Sequence, residues 1–67
     1  MVLARVASLT AKQGHFDRAR KLFQQSEEKL SKRQERFQLA LMYALAGEAE
    51  YRGGDLQAAR KYLAKAN

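Results

Sequence analysis

The feature that most constrains this chain is an internal echo. Residues Gly14-His15-Phe16-Asp17-Arg18-Ala19-Arg20-Lys21-Leu22-Phe23 return forty positions later as Gly54-Asp55-Leu56-Gln57-Ala58-Ala59-Arg60-Lys61-Tyr62-Leu63. Both copies read glycine, four residues, Ala-Arg-Lys, then two large apolar residues, and a basic residue, Lys12 or Arg52, precedes each. A glycine between two apolar-periodic segments suits a helix C-terminus, because it adopts the left-handed conformation at little cost. The cation before it suits the negative helix end, and Asp17 or Asp55 suits the positive start of the next helix. Phe16, Ala19, Phe23 and Ser26 then fall on one helical face, as do Leu56, Ala59, Leu63 and Ala66. The small Ala19 and Ala59 allow the preceding helix to come close. The expected fold is all-α: two antiparallel helical hairpins, about four helices, in a single domain over 1–67. Repeat one covers about 1–30 and repeat two about 31–67.

These residues resemble the tetratricopeptide repeat, a helix–turn–helix with a turn glycine, a small residue after it and a large apolar residue one turn on. Gly14, Phe16, Ala19 and Phe23 match that pattern, and so do Gly54, Leu56, Ala59 and Leu63. In the preceding helices Leu3, Val6, Ala7 and Thr10 take the family's packing positions, echoed by Tyr43, Ala46, Gly47 and Glu50. Thr10 and Glu50 depart from the usual large aromatic, and the closing proline is missing. The period of forty exceeds the common value of about thirty-four, which is similar to the longer-helix variants in kinesin light chains and maltose-activator-type regulators. The resemblance implies a short α-solenoid that binds a peptide in the groove lined by the first helix of each hairpin. Carried over to this sequence, the groove is Ala4, Arg5, Ser8 and Lys12, then Leu41, Ala44, Leu45, Glu48 and Arg52. Repeats that clamp a chaperone's C-terminal carboxylate place asparagine where Ser8 and Glu48 stand, so that activity is not implied.

Sixty-seven residues are few for a self-sufficient core, and no cysteine is present to staple it. Two repeats are also fewer than the three or so a solenoid usually needs. A fragment of a longer array, a dimer that completes the core, and stabilisation by a partner all remain open. The longest apolar run, Leu39 to Ala46, has eight residues and is too short for a membrane span. The acid-free first sixteen residues have a transit-peptide composition, but Leu3, Val6 and Thr10 fill helix positions. The expected setting is cytoplasmic, with no membrane partner. A net charge of +6 favours acidic surfaces or polyanions.

Along the chain, helix one is predicted over Val2 to Gln13, burying Val2, Leu3, Val6, Leu9 and Thr10. Helix two runs from Phe16 to Leu30. Ser31-Lys32-Arg33-Gln34 fits a capping box, so a break is predicted near Ser31, against one continuous rod from Phe16 to Gly47. Helix three runs from Lys32 to Arg52. Its middle is apolar nearly all round, which calls for burial on every side; helices one, two and four can cover only part of it, and the remainder should face a partner, another copy or a missing third repeat. Helix four runs from Asp55 to Lys65.

Lys29, Lys32, Arg33 and Arg36 form one basic stripe if the helix continues, and a basic corner if it breaks. They read as a solvated face, diluted by Glu27, Glu28 and Glu35, or as a contact for phosphates or an acidic peptide, although no aromatic residues interleave with them for stacking. Arg20-Lys21 and Arg60-Lys61 read as outer-face residues. His15 stands alone in a turn, with no acid or nucleophile placed beside it, and no phosphate loop, catalytic pair, metal cluster or cofactor motif is visible. The expected function is therefore protein–protein interaction, not enzymatic. The partner is a peptide, a helix or a second copy, met by Arg5, Ser8, Lys12, Leu41, Ala44, Leu45, Glu48 and Arg52. The alternatives are a small basic nucleic-acid binder or a structural piece of a longer solenoid.

Overall fold

The first three helices of this chain end in the same way. In the computed structural model, which describes residues 2–66, α1 (Val2–Lys12), α2 (Phe16–Arg33), α3 (Arg36–Arg52) and α4 (Leu56–Ala66) follow one another. The outermost positions of the expected domain, 1 and 67, lie outside the described residues. Left-handed residues stand at 14, 34 and 54, an even spacing of twenty, with φ of 89° at Gly14, 58° at Gln34 and 88° at Gly54. Each carries the same pair of backbone bonds. His15 N–H donates to the Thr10 carbonyl and Gly14 N–H to that of Ala11; Glu35 and Gln34 donate to Leu30 and Ser31; Asp55 and Gly54 donate to Glu50 and Tyr51. This reciprocal arrangement satisfies carbonyls that a helix end would otherwise leave unpaired. At the start of α4, Asp55 Oδ1 accepts the Ala58 N–H at 3.0 Å, an N-cap.

The join between α2 and α3 corrects the sequence expectation. Ser31 does not open helix three. It lies in the last turn of α2, and its carbonyl accepts the Gln34 N–H at 3.1 Å. The helix continues past Leu30, which is buried in the core, for three more residues to Arg33. Gln34 then takes the place that glycine takes in the other two turns.

The packing corrects a second expectation. α1 does not bury Val2, Leu3, Val6, Leu9 and Thr10; it buries Ala4, Ala7 and Ala11, and Val2, Val6 and Leu9 are exposed. α1 lies against both α2 and α3. A stripe without bulk lets one helix approach two neighbours at once, since interaxial distance depends on the side chains at the contact. Ala19, Phe23 and Ser26 of α2 are buried as their spacing predicts.

α3 is the centre of the bundle, packed by α1, α2 and α4. Met42 is the largest fully buried side chain, and Ala46 and Ala49 join it in the core. Gly47 lies under α4, where an added Cβ would come within 2.9 Å of Leu63 and 3.3 Å of the Ala59 carbonyl oxygen. This close contact brings the second hairpin together. Among the described residues no helix is long and apolar enough to cross a membrane.

Candidate protein-interaction surface

α1 and α3 lie side by side and leave a groove between them. Two adjoining hollows make it. One is lined by Arg5, Ser8, Leu9, Lys12 and Leu45, the other by Arg5, Leu41, Ala44 and Leu45. The groove forms because α1 turns its alanines inward, which leaves Arg5, Ser8, Leu9 and Lys12 on the opposite side of the helix. On α3, Met42 and Ala46 point into the core, and Leu41, Ala44 and Leu45 lie along the rim.

Six of the eight residues singled out from the sequence, Arg5, Ser8, Lys12, Leu41, Ala44 and Leu45, line this groove. Glu48 and Arg52 continue the same α3 face and engage each other, Arg52 Nε donating to Glu48 Oε1 at 3.3 Å. Ala4, grouped with the groove on the family pattern, is fully buried instead. Leu9 belongs to the groove, not to the core. Its spacing of four from Arg5 and three from Lys12 is the signal that places it there.

The electrostatics of the groove are uneven. Arg5 and Lys12 have no carboxylate within ion-pair distance among the described residues. Arg5 thus lies beside Leu9, Leu41 and Leu45, and Lys12 beside Leu9 and Leu45. Leu41 is 44% exposed and Phe37, one turn earlier, is 79% exposed.

The Lys29, Lys32, Arg33 and Arg36 set is split by the turn at Gln34, so it forms a corner, not a stripe. Lys32 pairs with Glu28 at 3.4 Å. Lys29 and Arg33 flank a cleft floored by Val2, Leu3, Val6 and Leu30.

The α2–α4 side holds a polar seam that no sequence pattern signals. Arg20, expected on the outer face, reaches across from the first hairpin to Glu50 and Asp55 of the second. The hydrogen bond and charge of Glu50 hold its guanidinium pKa above the usual value. Nearby, the Tyr43 hydroxyl donates to Glu27 Oε2 at 2.6 Å. That bond, with partial burial, pushes the Tyr43 pKa up to about 12. Tyr62 stacks on Tyr43 with ring centroids 6.2 Å apart, and Lys65 Nζ lies 5.5 Å from the Tyr43 centroid. Burial raises the Tyr62 pKa as well. The Glu27, Glu50 and Asp55 carboxylates all have partners here, so the seam ties the hairpins together. His15 is exposed in the α1–α2 turn, where its carbonyl accepts the Ala19 N–H.

Compared with protein-family models, curated proteins and solved structures, the chain matches none.

Proposed function

We propose that this chain is a protein-interaction module, a short helical-repeat domain of the tetratricopeptide type. Its α1–α3 groove takes a peptide or helix bearing apolar and acidic residues. One observation carries the reading: Leu9, Leu41 and Leu45 line adjoining hollows together with Arg5 and, in one of them, Lys12, and the charges of both meet no carboxylate among the described residues. Apolar area supplies affinity, and unpaired cations select acids and set orientation. Glu48 and Arg52, already paired with each other, extend the face and tune specificity toward the far end of the bound segment.

The test is selection from a random peptide library on the immobilised chain, with Leu41→Glu as the counter-screen. Leu41 is exposed enough for this variant to keep the fold. Selected sequences should combine large apolar residues with Asp or Glu, and Leu41→Glu and Arg5→Glu should each lose them. Selection of peptides that bind both variants as well as the wild type would overturn the reading. Light scattering over a dilution series separates the remaining occupant: a dimer that Leu41→Glu dissociates would put a second copy in the groove.

A further inference from the structure

The forty-residue echo places the same side chains in two environments, and the comparison shows what one of them lacks. In the first hairpin, Phe16, Ala19, Arg20 and Phe23 form a face that α3 covers. Phe23 is 3% exposed, a Cβ on Gly53 would sit 3.1 Å from the Phe16 ring, and Arg20 is held by Glu50. The corresponding residues of the second hairpin are Leu56, Ala59, Arg60 and Leu63. They line an open groove with Tyr51. Leu63 is 46% exposed and Leu56 54%. Arg60, the counterpart of Arg20, has no carboxylate within ion-pair distance among the described residues.

From this we infer that the outer face of α3 and α4 is a second docking surface, and that its occupant is a partner helix with an acid positioned over Arg60. The first hairpin shows the fit. The covering helix presents small and apolar residues to the face and one glutamate to the arginine fork, which matches a carboxylate in two-pronged geometry. A second copy of this chain fits less well. By the same period its α1 and the turn after it would present Thr10 and His15 where α3 and its following turn present Glu50 and Asp55. Five of the chain's seven acids are also already in ion pairs. With a net charge of +6, two copies repel each other and an acidic helix is attracted. The inference is independent of the α1–α3 groove.

The probe is a synthetic peptide with the sequence of residues 36–54, titrated into the isotope-labelled full chain and tracked by NMR. The signals of Tyr51, Leu56, Ala59 and Leu63 should move. Arg60→Glu should weaken binding about tenfold, and a peptide carrying Glu50→Arg should recover it on that variant. To separate weak binding from none, the same peptide is also joined to the chain by a Gly-Ser linker, which raises its local concentration to about a millimolar. No movement of these signals in the linked form would overturn the inference. So would shifts confined to Arg5, Leu9 and Leu45, or binding indifferent to the charge swap. Movement of the same signals when the chain alone is concentrated would make a second copy the occupant and would also overturn it.

Discussion

Arg20 and Glu50, thirty residues apart, form a fork across the two hairpins. Arg20 Nε donates to Glu50 Oε1 at 3.1 Å and to Oε2 at 2.9 Å, and Nη2 donates to Oε1 at 2.9 Å and to Asp55 Oδ2 at 3.2 Å. Only 9% of the Glu50 side chain is exposed, against 45% for Arg20. Removing Arg20 strands a nearly buried carboxylate, whereas the arginine itself still reaches water. Arg20→Ala should therefore cost about 2 kcal/mol, less than the roughly 3–5 kcal/mol of a fully buried pair because solvent can reach this one. Arg20→Lys, which keeps the charge and loses the fork, should cost about half as much. Chemical denaturation of both variants measures the difference, and equal losses would mean that the fork geometry contributes nothing.

Gln34 occupies the left-handed position that glycine fills at 14 and 54. A side chain there carries a steric cost that glycine avoids. Gln34→Gly should stabilise the chain by about 1 kcal/mol, roughly a 5 °C rise in Tm for a domain this small. Gly14→Gln, the reverse exchange at a turn of the same type, should lower Tm by a similar amount.

The alanine face of α1 predicts an inversion of the usual size rule. Ala7 is fully buried and neighbouring Val6 is 44% exposed. Ala7→Val forces bulk into a close helix contact and should cost about 2 kcal/mol. Val6→Ala should change stability by no more than about 0.5 kcal/mol. Urea midpoints for the pair decide whether the buried side is the alanine stripe.

Tyr43 gives the fold a limit at high pH. Its hydroxyl proton is held by Glu27, and its pKa is raised from 10.0 to about 12. For an acid whose folded pKa is raised, folding favours the protonated form. The added stability is complete below the unfolded pKa near 10 and is lost as pH rises through about 12. Stability should fall across that window, and Tyr43→Phe should flatten the fall. Thermal melts at pH 9 to 12 test it; identical slopes for wild type and variant would remove Tyr43 as the cause.

Much of this architecture is local and was legible from the residues alone. Gly14 and Gly54 mark turns because their backbone needs are set within a few residues, and Ala19, Phe23 and Ser26 mark a buried face because helical periodicity is short-range. The apolar middle of α3 signals a helix packed by several neighbours, and six of the residues that the tetratricopeptide resemblance implied for a groove line the hollows between α1 and α3. What only the tertiary structure decided depends on distant neighbours. Two faces of α1 are apolar, and its close approach to two helices at once selects the alanines over the larger Val2 and Val6. A glutamine can close the α2–α3 turn because the packing of Leu30 in the core offsets its strain. The Arg20–Glu50 fork has no sequence signature, since a contact across thirty residues exists only after both hairpins have folded against each other.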